Sequence, residues 1–206
     1  MKYNNNTIYV MSGTVINENI TVTSINLYGA NFNVNPNTTN RYTESVIKGK
    51  VTLAGTGASV NGFKVAEEGS IVVNGSNNNS VVYNLFADDA ARTEPMISAV
   101  KSGAKYNGLV ISDNRFVGNS SAALISVASV AGLKISENRM ENTADGALIT
   151  IGTTENSASI TVSDNNFAAG EQAIVLSDVT RAGMLLVEEN DFATVHALSF
   201  AALKAD

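Results

Sequence analysis

Apolar positions along the second half of the chain alternate with polar ones in runs of four, and each run closes on the same signature: an acid, an asparagine, any residue, then phenylalanine or methionine. The clearest copies are LVISDNRF (109–116), LKISENRM (133–140), ITVSDNNF (160–167) and LLVEENDF (185–192). A period of two along the chain is the signal of a strand with one buried face. Weaker copies stand at VNGF (60–63) and VYNLF (82–86), and the asparagines at 61, 84, 114, 138, 165 and 190 follow one another at intervals of 23, 30, 24, 27 and 25 residues. That interval lies in the range of solenoid repeats. A second short apolar strand follows each of the four strong copies, as ALISV (123–127), ALITI (147–151), AIVL (173–176) and ALSF (197–200), at 9, 9, 8 and 7 residues past the asparagine. IVV (71–73) and MISAV (96–100) fill the same slot in the weaker copies.

Both strands are rich in branched residues and bounded by Gly, Ser, Asn and Asp, which is strand-and-turn chemistry. One coil of this kind is too small to bury its own apolar face; stacking coils about 4.8 Å apart pairs each strand with its copy above and below. The pattern therefore predicts one all-β domain over 1–206, a right-handed parallel β-helix of about seven to eight coils, its hand taken from the general rule for parallel crossovers. Equal repeat positions then form ladders. Asn84, Asn114, Asn138, Asn165 and Asn190 are expected to stack as an internal amide ladder. Phe63, Phe86, Phe116, Met140, Phe167 and Phe192 are expected to stack as one internal column, with Phe32 as its continuation.

Further stretches resemble a known family. TIYVMSGTVINENITV (7–22), INLYGAN (25–31), RYTESVIKG (41–49) and VNGF (60–63) are similar to the opening coils of the pectate-lyase-like β-helix superfamily of secreted bacterial and phage surface proteins. The resemblance implies the fold over nearly the whole chain, whereas the superfamily's activities range over lyases, hydrolases, esterases, tailspikes and non-catalytic adhesins. Its polygalacturonase-type hydrolases carry Asn-Thr-Asp, Asp-Asp, Gly-His-Gly and Arg-Ile-Lys motifs on successive coils. Of these the chain has only Asp88-Asp89; its one histidine is His196, and Leu133-Lys134-Ile135 departs from the last motif.

Composition narrows the classes. The 13 basic and 19 acidic side chains give a net charge of -6, which disfavours a broad attraction to nucleic acid or anionic lipid. The absence of cysteine excludes disulfides and thiolate chemistry. No apolar run reaches the roughly 18 residues of a membrane-spanning helix, and MKYNNN at the start is no signal peptide. The expected setting is extracellular, at a cell surface or in a virion.

Candidate chemistry gathers in the longest coil, between Asn84 and Asn114, which holds Asp88, Asp89, Arg92, Glu94, Lys101, Lys105 and Tyr106. Loops on one face of a solenoid are its usual binding face, so Asp88, Asp89, Arg92 and Tyr106 are the candidate ligand-binding residues. An enzymatic alternative, a lyase or glycoside hydrolase of acidic polysaccharide, would draw on Asp88, Asp89, Arg92 and Glu94. The acids would then cradle Ca²⁺ and Arg92 or a lysine would act as base; otherwise no cofactor or metal is expected. An acidic column, Asp113, Glu137, Asp164 and Glu189, precedes the asparagine ladder, with Arg115 and Arg139 just after it. The expected role is register and solubility through alternating charge. Tyr28, Tyr42, Tyr83 and Tyr106 are candidate stacking platforms for sugar rings.

His196 reads as structural, and the interstrand glycines read as turn residues. The apolar tail 193–206 predicts end-to-end self-association or a neighbouring domain. A non-catalytic scaffold or adhesin presenting loops to a glycan or protein partner is the leading expectation, with a self-assembling fibre subunit as a further alternative.

Overall fold

The computed structural model describes residues 2–4, 6–38, 40–75, 77–100, 106–177 and 182–202. Among them there is no helix, and so none long and apolar enough to cross a membrane. The chain winds as a right-handed parallel β-helix of eight coils, with three parallel sheets of eight strands each.

The first sheet runs through Thr7–Tyr9, Asn26–Tyr28, Ser59–Asn61, Ser80–Val82 and Leu109–Ser112, then the later halves of Ile125–Ser136 and Ile149–Ser163, and ends on Ala182–Glu188. The second runs through Val15–Ile16, Val46–Ile47, Lys64–Ala66, Leu85–Arg92, Arg115–Ser120, Arg139–Asn142, Asn166–Ala169 and Asp191–Phe192. The third takes Ile20–Val22, Lys50–Leu53, Ser70–Val73, Ile97–Ala99, the leading halves of the two long strands, Gln172–Ser177 and His196–Ala202. One antiparallel strand, Lys2–Asn4, pairs with Thr7–Tyr9 at the first coil.

Inward positions alternate as the pattern predicts: Val60, Val81, Ile111 and Ile135 on the first sheet and Ile71, Ile97, Ile125 and Ile149 on the third are fully buried. Between the first and second sheets the chain turns in two residues. The first takes the left-handed conformation at Gly62, Tyr83, Asp113, Glu137, Asp164 and Glu189, with φ between 54° and 79°. Side chains resist that conformation, and the second residue compensates. Its amide group ties the turn along the stack: the backbone N–H groups of Asn84, Asn114, Asn138 and Asn165 donate to the Oδ1 of the next asparagine at 2.9, 3.0, 3.1 and 3.0 Å. The side-chain amides follow the same path at 3.2, 3.0, 3.0 and 2.9 Å. The expected amide ladder is present in full.

The ring column needs correction at its start. Phe86, Phe116, Met140, Phe167 and Phe192 do stand in register, with Phe86 and Phe116 stacked at 4.6 Å and Phe167 and Phe192 at 4.9 Å. Below Phe86, however, the column continues through Val65, Ile47 and Ile16. Phe63 is buried at the turn instead, its N–H donating to Asn84 Oδ1 at 3.0 Å. The register is set by Val60 facing Val81, which pairs Asn61 with Val82 and not with Asn84. Phe32 lies outside the barrel, 41% exposed, stacked on Tyr28 at 5.5 Å. The eighth coil leaves Phe192, Val195, Leu198 and Phe200 exposed.

Candidate functional site

The extra residues of the fourth coil lengthen its second-sheet strand to Leu85–Arg92 and carry it over the outer face of the third sheet. The register shifts between Ala87 and Ala91, and the chain bulges there. Asp88, inside the bulge, and Arg92, just beyond it, close on each other: Arg92 Nη1 stands 2.8 Å from Asp88 Oδ2, with the side chains 7% and 3% exposed. Asp88 Oδ1 accepts the Ala90 N–H at 3.0 Å, and the Arg92 guanidinium also donates to the carbonyls of Glu67 and Glu94. A charge pair so enclosed is held by mutual attraction plus full hydrogen bonding, and removing either partner strands the other. The pair braces the bulge to the preceding coil.

Above it lies a groove of about 510 Å³. Its lining includes Ser70, Val72 and Ser98 from the third sheet, Thr93, Glu94 and Pro95 from the insertion, and Lys50 and Glu68 from the two preceding coils. The accessible chemistry is hydroxyls with isolated charges of both signs. Of the candidate residues the fold brings Asp88, Arg92 and Glu94 to this groove, while Asp89 is exposed outside it. Tyr106 is fully buried in the core and is no surface platform; the alternation that would have assigned it inward is interrupted by the insertion. Lys101 and Lys105 lie outside the described residues. The acids form no cation cradle: among the described residues no three carboxylate or imidazole side chains converge.

The acidic column occupies the left-handed turn on the exterior. Glu137, Asp164 and Glu189 are exposed; Asp113 is half-buried, and burial raises its carboxyl above the usual range against the lowering influence of the Ser112 hydrogen bond and Lys134. Burial, with Asp113 and Glu137 nearby, likewise raises the Tyr83 phenol. Arg115 and Arg139 do not alternate with these acids. They stack in register on the second sheet and share Glu141, at 3.9 and 2.9 Å. His196 is exposed, its Nε2 3.7 Å from Glu171 Oε1, consistent with a surface role.

One element escapes the repeat. Between Asn26–Tyr28 and Val46–Ile47 a long loop runs up the stack along the turn corner, toward the later coils. Arg41 donates to the carbonyls of Phe63 and Tyr83 at 3.2 and 2.9 Å and pairs with Glu44 at 2.7 Å. Asn37 reaches the Asn114 carbonyl at 3.2 Å and Asn35 the Asp113 carboxylate at 3.1 Å. The loop thus straps the third, fourth and fifth coils. Its sequence signal was the run of Asn, Pro and Thr from 31 to 40, a length no single turn requires.

The chain matches no protein-family model, no curated protein and no solved structure.

Proposed function

We propose that this protein is a rigid, non-catalytic β-helix scaffold of the pectate-lyase-like type, working outside the cell or on a virion, whose fourth-coil groove holds a glycan. The observation that carries this reading is the buried Asp88–Arg92 pair. The two residues best placed to do chemistry are consumed by each other, and what they support is a polar display surface. Serine and threonine hydroxyls beside Lys50, Glu68 and Glu94 suit a polyhydroxylated chain with occasional charge, since charged groups hydrogen-bond hydroxyls more strongly than neutral ones do. Two carboxylates at one groove are also what a glycosidase needs, so the test separates the readings.

A glycan array and a polysaccharide-degradation assay on one sample should give binding without product. Lys50→Ala should weaken that binding about tenfold, the loss expected for one charge-assisted hydrogen bond. Unsaturated uronate absorbance or new reducing ends would overturn the scaffold reading in favour of an enzyme. The exposed apolar residues of the eighth coil support a second element of the proposal, contact there with a following domain or a neighbouring copy, which light scattering across a concentration series would detect.

A further inference from the structure

At the other end of the molecule the first two coils and the start of the strap enclose a pocket of about 320 Å³, separate from the groove. It is lined by Tyr9, Val10, Met11, Ser12, Phe32 and Tyr42, with Gly29 and Ala30, and none of these residues is charged. Three rings behind it pack on one another: Tyr9 stands edge-on to Tyr28 and Phe32 at 5.6 and 5.7 Å, and Tyr28 lies flat on Phe32, 8° from parallel. Phe32 therefore has one face covered by Tyr28, and its remaining exposure borders the pocket. Tyr42 is 74% exposed.

The backbone that carries this exposed ring is held in place. Asn31, fully buried, accepts the Tyr42 N–H at 2.7 Å and donates to the Tyr42 carbonyl at 3.1 Å. Ser45, also fully buried, shares its one hydroxyl proton between the carbonyls of Val10 and Met11, each at 2.9 Å, and accepts the Ala30 N–H at 3.0 Å. Two enclosed polar side chains thus fix three walls of an open pocket, the preorganisation that a binding site requires.

We infer that this pocket is a second subsite, one that takes a neutral sugar ring, the C–H face of the ring lying on Phe32 and Tyr42 and its hydroxyls meeting the Tyr9, Tyr42 and Ser12 hydroxyls at the rim. Aromatic rings with a polar tip suit a ligand that is apolar on its face and wet at its edge. The absence of charge in the lining selects against uronic acids. The size suits one or two rings, and lies at the small end for ligand pockets generally. A protein partner needs about 800 Å² from each side, far more than this patch supplies.

The inference rests on the reading of the protein as a glycan-holding scaffold and is tested apart from it. The full chain is titrated with methyl glycosides of neutral hexoses and with methyl glucuronide, following tyrosine fluorescence, free of interference because the chain has no tryptophan, and the amide NMR shifts of Ser12, Ala30 and Tyr42. Neutral glycosides should shift these signals and the uronide should not. Tyr42→Ala should weaken binding about tenfold with an unchanged circular dichroism spectrum, Tyr42→Phe should retain most of it, and Lys50→Ala should leave it intact. Polysaccharide binding that survives Tyr42→Ala, with no response to neutral glycosides, would overturn the subsite and leave the groove standing. A response only to tetramethylammonium or to an apolar dye would overturn it in favour of a cation cage or an apolar-side-chain pocket.

Discussion

Coils four to eight and coils one to three solve the same problem at the same corner by different means. From Asn84 onward each left-handed turn is followed by an asparagine whose Oδ1 accepts the N–H of the preceding coil's turn and whose Nδ2 donates to neighbouring carbonyls, so every coil carries its own fastening. In the third coil that place is taken by Phe63, which has no amide to offer, and in the second by Ala30 at the root of the strap. There Asn84 still accepts the Phe63 N–H, but the carbonyl side is fastened from outside, by Arg41 on the Phe63 carbonyl and, one coil further on, the Tyr83 carbonyl. The lesson is that a parallel stack tolerates loss of its internal ladder where a loop supplies equivalent donors along the axis. The strapped end has in turn room for a pocket, because small residues stand where the ladder end is filled.

The largest effect is expected from breaking the ladder. Asn138 is fully enclosed; the two protons of its Nδ2 are shared among Asn165 Oδ1, Ile111 O and Ser136 O at 3.0, 2.9 and 2.9 Å, and its Oδ1 accepts the Asn114 N–H at 3.0 Å. Asn138→Ala strands several buried groups at about 1–3 kcal/mol each, so a loss of roughly 3–5 kcal/mol is expected in urea denaturation. A loss under about 1 kcal/mol would mean that water replaces the amide and that the ladder is ornamental.

Breaking the strap should cost less and act locally. Arg41 is 9% exposed and Glu44 19%, so Arg41→Ala leaves a carboxylate that water still reaches. The loss should be about 2–3 kcal/mol, below the range for fully buried pairs. Arg41→Lys should recover little of it, because one ammonium cannot span Glu44 and two carbonyls as the planar fork does. Amide exchange should quicken from residue 30 to residue 64 and stay unchanged beyond the fifth coil; a uniform increase along the whole chain would show that the two ends unfold as one unit and that the comparison has no energetic content.

The ladder end was legible in the sequence and the strapped end was not, for a physical reason. A ladder repeats, so Asn114, Asn138 and Asn165 announce themselves by spacing. A strap is used once, and Arg41 finds its partners 22 and 42 residues away with no pattern between them. The misplacement of Phe63 has the same origin: with the ladder absent, Asn61 looked like its missing rung, whereas its amide faces out of the barrel and, buried beneath the loop, pairs with Asn33 at 2.9 Å. Asp88 and Arg92 were identified as neighbours in a loop. That they neutralise each other follows from the bulge that bends the strand between them, and a bulge leaves little trace in composition. Tyr28 and Tyr42 were recognisable as candidate stacking platforms, but the pocket between the first two coils depends on Asn31 and Ser45, whose roles exist only in the folded chain.

The smallest effect tests the junction of the two regions, where Asn35 at the far end of the strap meets Asp113. The Asp113 carboxyl is raised from its ordinary value of 3.8, chiefly by burial. A raised carboxyl means that the folded state holds the proton more tightly than the unfolded one. The stability this contributes is fully present below pH 3.8 and is lost as pH rises through the folded value, where the chain must ionise a partly enclosed group. Asp113→Asn removes that loss, keeps an oxygen for the Asn35 amide and suits the left-handed turn. The variant should therefore be more stable at neutral pH by up to about 0.5 kcal/mol, the scale of a surface substitution, and the gain should shrink in acid. Asp164→Asn, at the same turn but exposed beyond the strap, carries the same backbone benefit and serves as the control. The difference between the two variants, followed by thermal melts from pH 3 to pH 8, isolates the enclosure of Asp113; equal curves would mean that the strap's far end does not shield the corner in solution.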